Sequence, residues 1–478
     1  GINASQALCL SAGRGVFSLG RVQTPTLMMI CNRYMENKNF TPQKYWQLRV
    51  QSGKADITFS ALSVDKYDRK DEADSNLQKV CSAASLQVTA AEKKEVSQEP
   101  PLLYDLTTLQ KEANVRHSFS ADKTLSIAQN LYEKKVMSYP RTGSRYIADD
   151  VFEIIPERIR LLTAYPRFST YAATLVGRPL NNRSVNASKV TDHHALLVTE
   201  NLPGDLSADE RTIYEMVAAR MLESFSGKCI MEKTAVTLQS AGVAFSVRGS
   251  VIKVPGWRSV LNLSDEEEEG NTTLPELHEG DTLSIYNSEI LDKQTKPRPL
   301  HTESSLLAAM ESAGKELENE EERRAMKEAG IGTPATRAAV IETLFSRDYI
   351  RREKKSLVPT EKGLAVHAIV KDKKIADISM TGSWESALAK IETGETDADT
   401  FHRGIEVYAA QITTELLNAT VSLASSPDVP LCPKCKKGHV FIYNKIAKCS
   451  NVDCTLKVFR NICNKQLTDK QIMELITK

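Results

Sequence analysis

No stretch of about 18 apolar residues occurs in the chain, which excludes a membrane-spanning helix. There is also no Gly-x4-Gly-Lys-Ser/Thr loop, so the commonest cradle for a nucleotide triphosphate is missing. The first residues, GINASQALCL, carry neither a Met nor a charged-then-apolar leader pattern, and the reading is that they begin inside a longer protein. Charge of one sign is not in excess either: 62 Lys and Arg face 61 Asp and Glu, a net of +1. What remains is the composition of a globular protein, 41% hydrophobic and 26% charged, in 478 residues. That length exceeds a single core and implies three or more domains.

The distribution of charge says more than the sum. From Cys432 to Lys478 there are ten Lys or Arg and three Asp or Glu, whereas acid gathers in the run Asp265 to Glu269, read as a solvated loop. Cysteine is just as uneven. Cys9, Cys31, Cys81 and Cys229 stand alone and read as buried thiols, while five of the nine crowd the last 47 residues. Cys432-x2-Cys435 and Cys449-x4-Cys454 are two pairs separated by a hairpin-length loop, the spacing of a four-thiolate zinc site with no open coordination position. Cys463 and His439 read as spares. A structural Zn2+ in a basic module suits packing on single-stranded DNA or on a protein partner. Such a cluster in an otherwise sparse set points to a reducing cytoplasm rather than a secreted disulfide framework.

Hydrophobic periodicity divides the chain into alternating helical and β stretches. Residues 1–40 read as helical with a glycine interruption at Gly13, Gly15 and Gly20. Tyr45 to Thr89 read as strands, 102–225 as helix-rich, 233–295 as strands again, and Thr302 to about Leu423 as helical. SSPDVP then reads as a linker. Two β stretches around a helical insert suggest one β domain interrupted by another. SADKTLSIAQNLYEKKVM (120–137) can be laid on TPATRAAVIETLFSRDYI (333–350), each a capped amphipathic helix turning into a short strand. The second continues into RREKKSLVPTEKGLAV as a hairpin wing and a helix, so two winged-helix-like units are expected.

KKVMSYPRTGSRYI (134–147) is the stretch that points to chemistry. A residue before proline is pushed into extended conformation, which puts Tyr139 on an extended segment among Lys134, Lys135, Arg141 and Arg145. A phenol is a poor nucleophile unless a cation stabilises the phenolate, and the planar fork of Arg141 suits both that task and a phosphate oxygen. Lys123, in the first turn of the helix beginning near Ser120, is placed where free N–H groups favour an anion. Tyrosine attack on a phosphodiester would conserve the bond energy, in keeping with the missing triphosphate loop. In TDHHA (191–195) adjacent histidines point apart on any regular element, so one of the two is expected to serve such a site.

These residues resemble the type IA DNA topoisomerases, and within them the topoisomerase III group. Besides VMSYPRTGSRYI, the stretches SLGRVQTPTL (18–27), TDHHALLVT (191–199), QTKPRPLHTESSLLAAME (294–311), GIGTPATRA (330–338) and MTGSWESALAKIETG (380–394) resemble that family's signatures in its order, over essentially the whole chain. The resemblance implies a multidomain α+β, toroidal fold with helical winged-helix-like domains, an interrupted β arch and a C-terminal zinc ribbon. The implied divisions are a helical base at 1–40 and 301–425, an arch at 41–100 and 226–300, a tyrosine domain at 101–225, and the four-cysteine module at 426–478. It implies Tyr139 as nucleophile forming a 5′-phosphotyrosine link, Arg141 and His193 as catalytic partners, and Ser18, Gln23 and Thr336 along a single-strand groove. Arg21 and Arg337 are further candidates that could instead be structural. The resemblance further implies a Mg2+-dependent, ATP-independent relaxation or decatenation of DNA. A helicase and a single-strand-binding protein are the implied partners, and a cytoplasmic, nucleoid-associated location is implied.

Three departures stand out. The family's acidic Mg2+-binding toprim domain is expected upstream, so these residues alone are expected to bind single-stranded DNA without relaxing it. Gly143 stands where many relatives carry Asp, and LLVT follows the His pair where isoleucine and proline are usual. Two rival readings are a relaxase-type nuclease, which needs a His-x-His metal pair that His193 and His194 do not form, and a zinc-stabilised DNA-binding protein without catalysis.

Overall fold

The computed structural model describes residues 1–12, 16–262, 273–326, 330–419, 431–442, 446–451, 453–462 and 465–477. Gly13 and Gly15, the acidic run Asp265 to Glu269, the SSPDVP linker and Cys463 lie outside them. The chain forms two compact units, one including residues 16–419 and the other 431–477.

In the larger unit the β stretches make one closed six-stranded barrel. Its strands are β1 (Lys44–Lys54), β2 (Ile57–Ser63), β3 (Ser85–Gln98), β4 (Cys229–Ser240), β5 (Val243–Val254) and β6 (Thr282–Gln294), in the order β1-β2-β5-β4-β3-β6. Every neighbouring pair is antiparallel. Alternation along the strands sends Leu48, Val50, Phe59, Leu86, Val88, Leu238, Phe245 and Leu283 into a common core. Two registers explain the connectivity. Gln98 pairs with Cys229, so the helical insert hangs from the ends of β3 and β4. Lys44 pairs with Gln294, so the barrel in turn hangs from the helical residues on either side of it. The closure is narrow: β2 meets β5 at Leu62 and Ser63, and β6 meets β3 from Ser85 to Gln87.

The stretch from Tyr45 to Thr89 is not all strand. The first helices of the unit are α1 (Ile2–Ala12), α2 (Gln23–Asn39) and then α3 (Lys70–Ala83), which sits within the β stretch and packs on β1 and β6. Among its residues only Ala73 and Val80 are buried. Two anchors seven residues apart are too sparse to register as an amphipathic helix in sequence.

The insert holds α4 (Leu106–His117), α5 (Ala121–Glu133), α6 (Asp149–Glu153), α7 (Ile155–Leu162), α8 (Ser169–Leu175) and α9 (Ala208–Ser224) around a core that includes Leu109, Leu131, Met137, Ile147, Leu196 and Tyr214. After the barrel come α10 (Glu303–Ser312), α11 (Glu320–Ala325) and α12 (Pro334–Ser346), the hairpin β7 (Ile350–Glu353) and β8 (Ser356–Pro359), then α13 (Glu361–Val370), α14 (Ile378–Glu392) and α15 (Ala398–Leu417). The helix, hairpin and helix of 334–370 follow the order expected of a winged unit. The first member of the internal repeat, α5, runs instead into a single bridge between Met137 and Val198.

In the smaller unit β9 (Val440–Ile442), β10 (Ile446–Cys449) and β11 (Lys457–Phe459) form an antiparallel sheet in the order β11-β10-β9. Helix α16 (Asp469–Thr477) contributes Ile472 and Ile476 to its core beside Cys432 and Cys449.

Candidate active site

Two of the motifs are zipped together edge to edge. Met137 pairs with Val198, the Ser138 amide donates to the Leu197 carbonyl at 2.9 Å, and the Leu197 amide donates back to the Ser138 hydroxyl at 3.0 Å. Further on, the Ala195 amide donates to the Tyr146 carbonyl at 2.9 Å. Between these rungs the chain turns at Pro140, whose carbonyl accepts from the Thr142 amide at 3.0 Å. Tyr139 is therefore on extended backbone at the mouth of a tight turn, as residue chemistry before proline requires.

Thr142 is 2% exposed and ties the turn to its surroundings. Its hydroxyl donates to the His193 carbonyl at 2.8 Å and accepts from the Ser144 amide at 3.1 Å. Its own carbonyl accepts from the Leu106 amide at the start of α4, at 3.1 Å. The Ser144 hydroxyl donates to the Lys189 carbonyl at 3.0 Å. Two buried hydroxyls thus fix the histidine loop against the tyrosine turn.

The Tyr139 ring is half-buried between two aromatic neighbours. His193 lies 4.7 Å from it, centroid to centroid, at 55°, and Tyr132 from α5 meets it edge-on at 5.3 Å. Beside it opens a cavity of about 290 Å³ lined by Tyr139, Asp150, Asp192, His193 and His194 with Ala148, Val151 and Val190. Both histidines line it, contrary to the expectation that only one would. The loop has no regular secondary structure, so the alternation that would turn neighbours apart does not operate. His194 Nδ1 donates to the Ala195 carbonyl at 2.7 Å. Arg141 is exposed, two residues beyond Tyr139, and is not among the residues lining the cavity.

Gly143 packs against a third motif. A Cβ there would stand 3.2 Å from Pro334 Cγ, so a larger residue at this exposed position would need the first residue of α12 to give by a few tenths of an ångström. A fourth motif joins at Gly332, whose φ is +70° and whose added Cβ would stand 3.3 Å from Val22 Cγ1. Nearby, Gln23 Nε2 donates to the Ser18 hydroxyl at 2.8 Å, and the Ser18 amide donates to the Tyr349 hydroxyl at 2.6 Å. Arg21 pairs with Glu385 at 2.8 Å and lies over the Trp384 ring. The Thr336 hydroxyl accepts from the Thr333 amide at 3.0 Å and closes the first turn of α12.

Two sequence candidates have other partners. Arg337 is 1% exposed, and its guanidinium donates to the Thr107 hydroxyl at 2.9 Å and the Ile331 carbonyl at 3.3 Å. It joins α12 to α4 inside the fold. Lys123 pairs with Asp209 at 2.7 Å and lies over the Phe119 ring. The N-terminus of α5, expected to attract an anion, is already filled. The Ser120 hydroxyl accepts the Lys123 amide at 3.0 Å, and the carboxylate of Glu303, 3% exposed, accepts the Ala121 amide at 2.7 Å. The other oxygen of Glu303 takes Arg352 at 2.8 Å.

Beneath the site Tyr104, whose carbonyl accepts the Leu196 amide at 2.8 Å, belongs to a buried charge cluster. Arg220 donates to Glu112 at 2.6 Å and to Glu223 at 3.0 Å and stacks over the Tyr104 ring. Burial works against the charge on Glu112, but Arg220 and the Tyr104 hydroxyl outweigh it and hold the carboxyl below its ordinary value. Burial pushes Glu223 up despite Arg220. Sequence reading missed this cluster, Asp150, Asp192, Glu303 and the two buried hydroxyls. Of these only Asp192, beside the His pair, carried a usable signal.

In the smaller unit the four thiols of Cys432, Cys435, Cys449 and Cys454 lie within 4.8 Å of one another. The Gly438 and Asn451 amides point at the sulfurs of Cys435 and Cys449 at 3.4 Å each, and the Lys437 and Gly438 N–H groups draw the Cys435 thiol down to about 6. A Cβ on Gly438 would stand 2.6 Å from the Cys449 sulfur, so only glycine fits. This donor set is compatible with tetrahedral zinc. A Mg2+ site needs converging oxygen ligands, and among the described residues the four-cysteine set is the one group of three or more His, Cys, Asp or Glu placed to share an ion.

A sequence profile describing DNA topoisomerases matches residues 1–403. DNA topoisomerase 3 of Bacillus subtilis is 31% identical over 472 residues, covering 95% of this chain and 64% of the relative. That of Bacillus licheniformis is 33% identical over 451 residues, covering 91% and 62%. The chain thus spans somewhat less than two thirds of these relatives' length. Full-length topoisomerase I from Thermotoga maritima superposes with a TM-score of 0.64 at 23% identity, over 98% of this chain and 75% of that one, a likeness of fold. With the profile matching most of its length and these relatives aligned through the tyrosine and histidine motifs, the chain belongs to the type IA DNA topoisomerase family.

Proposed function

We propose that this chain carries the nucleophile for transient cleavage of single-stranded DNA. The Tyr139 oxygen attacks a backbone phosphorus, a 5′-phosphotyrosine bond forms, and the 3′-oxygen leaves and takes up a proton. The reverse attack by that hydroxyl reseals the strand without a nucleotide triphosphate, after passage of another strand has relaxed or decatenated the DNA. The observation that carries this reading is the presentation of Tyr139 on an extended turn against His193, with the two loops fixed by Thr142.

The exposed Arg141 neutralises the phosphate through its fork, and His193 contacts the same region of backbone. Ser18, Gln23, Thr336 and Arg21 then lie along the strand's path, with the exposed Lys123 as a further contact, while the buried Arg337 holds the fold. The four cysteines hold Zn2+ as a structural ion that stabilises the basic module for nucleic-acid contact. Mg2+ finds no converging acidic set among the described residues. The 478 residues by themselves are assigned the binding of single-stranded DNA. A cytoplasmic setting on the nucleoid, with a helicase and a single-strand-binding protein as partners, completes the reading.

The test is covalent capture. The protein is incubated with a 3′-end-labelled single-stranded oligonucleotide and denatured. Label transfer to the peptide containing Tyr139, lost in Tyr139→Phe, supports the assignment; transfer that persists in that variant refutes it.

A further inference from the structure

The cavity beside Tyr139 has walls of unlike chemistry, and they constrain what can enter it. Tyr139 and His193 give the lining aromatic surface, which suits the face of a flat ring. Val151 and Val190 give it apolar surface. Asp150 and Asp192 line it as well, both exposed and neither held in an ion pair or hydrogen bond among the described residues. The nearest cations in sequence are turned elsewhere: Arg145 donates to the Leu103 carbonyl and Lys189 lies over the Tyr146 ring. His194 faces the same space, its Nδ1 engaged by the Ala195 carbonyl at 2.7 Å.

Ionised carboxylates only accept hydrogen bonds. They disfavour a phosphate in this space and favour a flat group that brings N–H donors. At about 290 Å³ the cavity falls near the lower bound of small-molecule pockets, a size for one ring system. Tyr139 lines it, so whatever is joined to the Tyr139 oxygen lies next to it.

Resting on the nucleophile assignment above, we infer that this cavity receives the base of the nucleotide that becomes linked to Tyr139, and that Asp150 and Asp192 select bases with an exocyclic amine. Adenine, cytosine and guanine each present an amino donor; thymine has none, and its one donor, N3–H, lies between two carbonyl oxygens that repel a carboxylate. The preference is modest because the carboxylates face solvent: about fivefold against thymine, the scale of one hydrogen bond.

The experiment uses the complete enzyme and four single-stranded oligonucleotides that differ only in the base immediately 3′ of the cleaved bond. Covalent adduct is quantified for each, with Asp192→Asn and the double variant Asp150→Asn, Asp192→Asn alongside. The expected result is a thymine substrate about fivefold poorer, with the preference shrinking in the single variant and vanishing in the double one. Equal yields for all four bases, with label still on Tyr139, would overturn the pocket and leave the nucleophile standing. So would a preference unchanged in the double variant, or one that follows the base on the 5′ side. Label on a residue other than Tyr139 would overturn both readings, which separates the two failures. Because both aspartates are exposed, their variants fold, and matched melting curves confirm it.

Discussion

The ring of His193 lies 4.7 Å from that of Tyr139, and the carbonyl of the same histidine accepts the hydroxyl of Thr142 at 2.8 Å. One residue thereby meets the nucleophile through its ring and the nucleophile's turn through its carbonyl. Replacing His193 by Ala should lower the rate of covalent adduct formation by about a hundredfold, the scale of a lost proton-handling or phosphate-contacting group. Oligonucleotide affinity, measured by fluorescence anisotropy, should fall less, by about fivefold, the lower end of a lost stacking face. An unaltered adduct rate would remove His193 from the site.

Thr142→Val keeps the shape and deletes the hydroxyl, leaving the His193 carbonyl and the Ser144 amide without that partner. Unfolding by urea should show a loss of about 1–3 kcal/mol, together with slower cleavage. Thr142→Ser should restore both, because the donor and the acceptor return.

Arg220→Met should cost about 3–5 kcal/mol at neutral pH, since it strands two buried carboxylates, Glu112 and Glu223. The pH dependence has a definite sign. Glu112 is held below its ordinary value of 4.5, so the stability it contributes is full above that value and is lost as pH falls through its lower folded value. In the variant, burial acts alone and raises both carboxylates, which then gain stability as they protonate. Melting curves taken from neutral to acid pH should therefore converge. A gap that widens on acidification would contradict the assignment.

Removing zinc with a chelator, or replacing Cys449 by Ser, should unfold residues 431–477 and expose them to protease. The metal content should be one Zn2+ per chain before treatment. The main melting transition, from the separately packed larger unit, should stay in place.

The helices and the motif-bearing turns were legible because their signals are local: N-caps at Ser120 and Thr333, a proline after Tyr139, paired cysteines at fixed spacing. Barrel closure was not, since it depends on Lys44 meeting Gln294 and Gln98 meeting Cys229, partners far apart in the chain. The partners of the basic residues were hidden for a related reason: Asp209 beside Lys123 and Thr107 beside Arg337 are places that pattern alone cannot predict. Asp150 and Asp192 were passed over because a carboxylate near a phosphate-directed tyrosine has no obvious task until the cavity between them is seen.

The central claim is that Tyr139 becomes covalently joined to DNA, and the most direct measurement is the mass of the peptide that carries it. After denaturation, nuclease trimming and proteolysis of the adduct, the account predicts a nucleotide attached through its 5′-phosphate to Tyr139, with no adduct in Tyr139→Phe. A nucleotide on any other residue, or an adduct that survives in the phenylalanine variant, would contradict it.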